Sequence, residues 1–240
     1  MTKRYTELLM VTKEDFERVI SETTEKEILK RVERFREIPL FRTFPVDARK
    51  VAEACRIDEY PPNTTIIYEG DTASDTIYFL LRGHCRVVKL VNFRQTTLWN
   101  NSVTLSRHDP GVPLGPQESV ATKLLVVAQV NPGQYFGEGS VAHVQNKREA
   151  ASAVYSANVV RRGASVVAED WVETISMSRG DFLKFASDRT FATLRGDIGG
   201  NITLDEMIVR YLHTRKRDAY KKRMVKEILE RKASQARGGR

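Results

Sequence analysis

Apolar positions in the first forty residues recur at helical spacing. Phe16, Val19, Ile20, Ile28, Val32 and Phe35 are set among Glu and Lys, which predicts a helix from Lys13 to about Arg36. Pro39 and Pro45 bracket a turn, and "VDARKVAEACR" (46–56) reads as a short amphipathic helix. The texture then changes. "TTIIYEG", "DTIYFLLRG" and "HCRVVKLV" are β-branched or aromatic runs punctuated by Gly70-Asp71 and Gly83, the pattern of strands joined by turns. Residues 94–123 mix Pro, Gly, Asn, Ser and His with little periodicity and read as an irregular, mobile insertion. "LLVVAQV" (124–130) resumes the sheet, and a second irregular segment covers 141–160. "GASVVAEDWVETISM" supplies two more strands. "SRGDFLKFA" opens a helix with Ser178 as N-cap and Asp181 at the third helical position. From about Ile202 to near Lys232 the pattern is helical again, and "SQARGGR" reads as a frayed end.

One internal match stands out. "ELLMVTKEDF" (7–16) repeats as "ETISMSRGDF" (173–182), each a strand, a capping hydroxyl, a basic residue and then Asp-Phe in a helix. On this reading residues 1–37 are the closing strand and linker helix of a preceding copy of the same domain. The chain is then the C-terminal part of a tandem-domain protein.

Composition narrows the function classes. With 240 residues, 41% hydrophobic and 29% charged, the chain has ample material for a core. No apolar run reaches membrane-spanning length, and no secretory signal follows Met1. Cys55 and Cys85 lack metal-ligand spacing, so the expectation is a reduced, cytoplasmic protein with two core thiols and no metal site. The net charge of +8 is concentrated: residues 201–240 hold 12 Lys/Arg against 5 Asp/Glu. That basic tail (216–240) reads as a helix that is solvated or that meets an acidic protein partner, a membrane surface or nucleic acid. The body gives no electrostatic reason to expect nucleic acid. His84, His108, His143 and His213 have no partners at ligand spacing, and no nucleophile–base pair is visible, so no catalytic residue is assigned.

Most of the candidate chemistry lies in "NPGQYFGEGS" (131–140). A dinucleotide fingerprint is disfavoured: six residues separate the strand from the first glycine of "GEGSVA", and no acid lies between Glu149 and Glu169. A plain hairpin turn accounts for Gly133 but not for Phe136-Gly137-Glu138-Gly139-Ser140. A cradle for a phosphate and a sugar accounts for all of them. Bare glycines let backbone N–H groups approach an anion, and Glu138 then has to face a hydroxyl rather than the phosphate. The phosphate needs a cation with a planar, two-toothed head, which is arginine.

These residues resemble the phosphate-binding cassette of cyclic nucleotide-binding domains. Such domains occur in regulatory subunits of protein kinase A, cyclic-nucleotide-gated channels and the bacterial catabolite activator. The resemblance covers residues 38–215. It includes "IPLFRTFPVDARKVAEACRIDEYPPNTTIIYEGD", "TIYFLLRGHCRVV" and "RGASVVAEDWVETISMSRGDF". It implies an α+β fold: an eight-stranded antiparallel β-roll (jelly roll) flanked by N-terminal and C-terminal helices. It also implies a non-enzymatic signalling module that binds cAMP, or alternatively cGMP, with no other cofactor. Phe136, Gly137, Glu138, Gly139 and Ser140 would form the cassette, Glu138 accepting from the ribose 2′-OH and the Gly139 and Ser140 amides facing the cyclic phosphate.

Two arginines compete for the phosphate. Arg148 has the family's usual spacing from the glutamate but lacks the Ser or Thr that should follow. Arg162 lies 24 residues beyond Glu138 in the fitting context Arg162-Gly163-Ala164-Ser165. The reading favours Arg162, with 141–160 an insertion. Gly163, where cGMP-selective members carry a hydroxyl, favours adenine. Tyr211 and Leu212 are either a cap over the base or core residues. "RRGAS" also resembles a kinase pseudosubstrate, but it runs straight into strand sequence. Two other classes stay open. A degenerate fold kept as an interaction scaffold is favoured by the insertions and by Ala73, which stands where the family has Gly. A DNA-binding regulator is disfavoured, because only about 25 residues follow Arg215 and they contain no turn signal.

Overall fold

The computed structural model describes residues 10–72, 75–99, 101–153, 160–199 and 203–238. The chain divides into two compact units: residues 1–85 with 130–197, and residues 86–129 with 198–240. Nine strands in two sheets are seen among the described residues, one more than the eight expected.

The first unit opens with helix α1 (Lys13–Arg34). Thr12 caps it by accepting from the Asp15 N–H, with Glu14 and Asp15 in the first turn and Arg31 and Arg34 in the last, as the helix dipole favours. Two short 3₁₀ turns, with Pro39 starting the second, lead to α2 (Ala48–Glu53), capped by Asp47. One sheet has the order β1 (Cys55–Tyr60), β9 (Val172–Met177), β3 (Ile77–Arg82), β7 (Tyr135–Phe136). Ile57 and Phe79 both align with Ile175, so central strand β9 is clamped on both edges. Beside it β2 (Thr65–Ile67) pairs with β8 (Ser165–Ala168).

The core of this unit is aromatic. Phe41 lies 4.6 Å from Phe79 and 4.2 Å from Phe35, ring centre to ring centre. Ile77, Leu80, Ile175, Phe182 and Phe191 are buried around them. Burying each such side chain stabilises the fold by about 1.5–3 kcal/mol. The β3 turn depends on Gly83 at φ +79°, where a Cβ would stand 2.3 Å from the Trp171 carbonyl oxygen. Ser178 caps α4 (Arg179–Phe185) by accepting from the Asp181 N–H at 3.1 Å, as the sequence predicts, and α5 (Asp188–Gly199) follows.

Three expectations need correction here. Cys55 and Arg56 belong to β1 and not to the preceding helix. Its alternation is hidden by charged residues, because β1 is an edge strand with one polar face. Segment 141–160 is not wholly irregular: Val141 and Val144 are buried in a turn, and α3 (Lys147–Ala153) follows. Third, α6 (Leu204–Gly238) continues through "SQARG" and is not frayed after Lys232. Ala233, Gln235 and Ala236 are good helix formers.

The second unit corrects the largest expectation. Half of residues 94–123 is strand: β4 (Cys85–Thr97) pairs with both β5 (Val103–Arg107) and β6 (Glu118–Val130). Polar pairs hold this ladder where the hydrophobic alternation fails. Arg94 donates to Glu118 at 3.2 Å and to the Val112 carbonyl at 2.8 Å, and the Gly115 N–H donates to Glu118 at 2.9 Å. That Gly115 bond, then Arg94 and Thr96, hold the Glu118 carboxyl below its ordinary range. Val91, Phe93 and Leu125 pack with Ile208 of α6, and Leu105, Tyr211 and Leu212 are half-buried against them.

The described part of the internal match shows the same cap twice, at Thr12 and Ser178. Residues 7–9 and Ala73 lie outside the described residues, and Met10–Thr12 are not strand. Among the described residues no helix is long and apolar enough to cross a membrane.

Candidate functional site

Every group described next, the two cap candidates Tyr211 and Leu212 apart, lies in the first unit. Strand β7 sets the cassette by pairing Phe136 with Tyr78 of β3, and the two rings stack at 5.1 Å with planes 12° apart. The chain then turns at Gly137, whose φ of +85° is the left-handed region. A Cβ there would stand 2.8 Å from the Thr76 carbonyl oxygen, so glycine is required by backbone angle and by space. Glu138–Ser140 form one 3₁₀ turn, closed by the Val141 N–H donating to the Glu138 carbonyl at 2.8 Å. Ser140 Oγ also donates to the Gly137 carbonyl at 3.1 Å. Gly139 differs from Gly137: nothing lies within 4 Å of where its Cβ would be, so packing within the chain does not demand its bareness.

Arg162 comes to this turn from the segment entering β8. Its guanidinium donates to the Gly137 carbonyl and to the Thr76 carbonyl, both at 2.7 Å, and the residue is 6% exposed. Its Nε–H is buried without a hydrogen-bond partner among the described residues. The Arg162 backbone is pinned as well: its N–H donates to the Asp71 carbonyl and its carbonyl accepts from the Gly70 N–H. Next to it, Ser165 Oγ accepts from the Glu69 N–H at 2.8 Å.

The electrostatics are coupled. Burial raises the Glu138 carboxyl above its ordinary value, against the pull of its own backbone N–H and of Arg162. Burial lowers Arg162, against Tyr78, Asp75, Asp71 and Glu138. The arginine stays charged regardless. The turn therefore presents one buried cation that feels the charges of Asp71, Asp75 and Glu138 and the Tyr78 phenol.

Other predicted residues lie elsewhere. Arg148 is exposed on α3, while Gly163 is exposed beside Arg162. Tyr211 and Leu212 belong to the second unit, Tyr211 packing on Phe93 at 5.1 Å. Sequence reasoning missed Thr76, whose carbonyl anchors Arg162, and Tyr78, which stacks on Phe136. It also missed Arg179, which donates through Nε to the Ser140 carbonyl at 3.1 Å. Only Arg179 carried a signal: a cation at the first position of a helix opposes the dipole.

No family model matches this sequence. No curated protein sequence is significantly similar to it. Solved structures do match. The PKA regulatory domain of Toxoplasma gondii, solved with cAMP, superposes with a TM-score of 0.51 at 17% identity, covering 78% of this chain and 55% of that one. The fold is that of a cyclic nucleotide-binding domain. Two further matches are regulatory subunits of a cAMP-independent protein kinase A. The one from Trypanosoma brucei, a mutant bound to cAMP in the A site, has a TM-score of 0.46 at 15% identity, covering 84% of this chain and 56% of that one. The one from Trypanosoma cruzi, bound to guanosine, has a TM-score of 0.45 at 14% identity, covering 81% and 53%. The chain thus spans about half the length of these structures.

Proposed function

We propose that the chain is a regulatory module, without catalysis of its own, that binds a cyclic nucleotide, cAMP, at the Phe136–Ser140 turn. The observation that carries this reading is Arg162, a buried cation fixed to the first cassette glycine, whose Nε–H has no hydrogen-bond partner among the described residues. A cyclic phosphate beside it receives charge-assisted hydrogen bonds in a poorly solvated place. Glu138 accepts from the ribose hydroxyl, and the Gly139 amide faces the phosphate oxygens; the Ser140 N–H joins it by giving up its long 3.4 Å bond to the Gly137 carbonyl. Gly139 has open space over its Cα, as a backbone approached by a ligand requires. Gly163 offers no side-chain hydroxyl to a guanine, which favours adenine. In this reading capture of the ligand shifts the helices after Met177 between two poses, and a protein partner reads the change through the basic C-terminal helix. Isothermal titration of the whole chain with cAMP, cGMP and adenosine tests it. Binding in the order cAMP, cGMP, adenosine is expected, and failure of all three refutes it.

A second reading rests on the same arginine. Both ends of its guanidinium are held by carbonyls, and it already feels the charges of Asp71, Asp75 and Glu138. A phosphate has to compete with those acceptors and tolerate those charges. A chain that binds none of the three ligands is then a scaffold, whose Arg162 is a structural clamp.

A further inference from the structure

Arg179 occupies the first helical position of α4 and is 6% exposed. A cation is disfavoured there twice, by the positive end of the helix and by the loss of its hydration. Such a placement needs a fixed acceptor, and the Ser140 carbonyl is one. Ser140 is itself buried and ends the cassette turn.

The flanks of the cassette are tied to the same helices. Tyr135 Oη donates to Asp197 at 2.7 Å, and Arg195 donates to the Gln145 carbonyl at 2.5 Å. The Lys147 N–H donates to Asp188 at 2.7 Å, and its ammonium to the carbonyls of Leu183 and Lys184 at 3.2 and 2.5 Å. These contacts lie mostly at the exposed rim. The Arg179 bond is buried and reaches the turn itself.

We propose that Arg179 is a positioning residue for the cassette. It holds the exit carbonyl of the turn, so that the Gly139 and Ser140 amides keep one direction, and it joins that turn rigidly to α4. The turn is already closed on itself by the Val141 and Ser140 Oγ bonds, so it moves as a unit. Fixing its exit fixes the whole. This inference rests on the nucleotide reading above for its ligand but not for its geometry.

The test compares Arg179→Met, which keeps the apolar stem and loses the donor, with Arg179→Lys, which keeps charge and donor. Both are made in the whole chain. The Met variant is expected to lose about tenfold or more in cAMP affinity, while the Lys variant stays within about threefold of wild type. Their melting temperatures should be alike. Equal affinity in the Met variant and wild type overturns the proposal. If the Met variant does not fold, Arg179→Gln replaces it, and affinity falling from Arg through Lys to Gln is the supporting order; no fall overturns it. If wild type binds no cAMP, the nucleotide reading fails, and hydrogen exchange of the amides at 139–144 decides the role of Arg179. Faster exchange in Met than in Lys supports it, and equal exchange overturns it.

Discussion

Arg162→Ala removes two hydrogen bonds from a charged donor, each 2.7 Å long and sheltered from water. Bonds of this kind contribute about 1.5–3 kcal/mol each, so the gross loss is about 3–6 kcal/mol. Relief of the guanidinium's burial returns part of that, leaving a net fall of about 2–4 kcal/mol in unfolding free energy. For a chain of this size that lowers the melting temperature by roughly 5–15 °C. Binding adds a separate loss, because a desolvated phosphate without its cation costs about 3–5 kcal/mol, a few hundredfold or more in affinity. Arg162→Lys keeps a charge but not a planar fork, so it should fall between alanine and wild type on both measures. The assay pairs urea unfolding, followed by circular dichroism, with calorimetric titration of cAMP. Arg148→Ala is the control, since Arg148 is exposed on α3, and both of its values should match wild type. Unchanged stability in Arg162→Ala would refute the two-carbonyl argument. Loss of affinity confined to Arg148→Ala would move the phosphate to that residue.

Three further outcomes follow from the same geometry. Burial raises the Glu138 carboxyl, so the folded chain holds that proton more tightly than the unfolded chain, and stability falls as pH rises from the unfolded to the folded value. Glu138→Gln should therefore melt higher than wild type above that window and equally below it, while binding cAMP more weakly; parallel melting curves from about pH 4 to pH 8 would sink the idea. Gly137→Ala should cost about 2 kcal/mol or more, because it adds left-handed strain to a 2.8 Å approach to the Thr76 carbonyl. Gly139→Ala should leave unfolding free energy unchanged and lower only affinity, and equal destabilisation of the two would contradict this. Burial pushes the thiols of Cys55 and Cys85 up to about 12, so their labelling near neutral pH should be no faster than unfolding, and rapid labelling of folded protein would count against it.

How far the sequence spoke depended on what kind of interaction held each element. Strands β3 and β9 were legible because Ile77, Phe79, Leu80 and Leu81 of one and Val172, Ile175 and Met177 of the other are apolar and buried, although Thr174 and Ser176 are buried with them; α4 was legible because Ser178 and Asp181 form a local cap. The ladder from Arg94 to Lys123 was not, because Glu118 is held by Arg94, Thr96 and a backbone N–H, and such cross-strand polar pairs leave no hydrophobic period. In the cassette, glycine spacing pointed to the turn, and Arg162 lies against it in the structure. Its partners could not be read: a carbonyl oxygen is common to every residue, so nothing at Thr76 or Gly137 announces an arginine acceptor.

The second unit is assembled from two distant stretches of chain, and this has a consequence for its synthesis. Leu125, the last of the three to be made after Val91 and Phe93, leaves the ribosome roughly 80 residues before Ile208 and Tyr211, the side chains that cover them. At about 5–20 residues per second, the hairpin waits roughly 4–16 s with its apolar face uncovered. β1 waits longer still for β9, although both are made before α6. A nascent chain paused between 130 and 200 therefore exposes an unsheltered β-ribbon, and chaperone capture should peak in that interval and vanish once α6 has emerged.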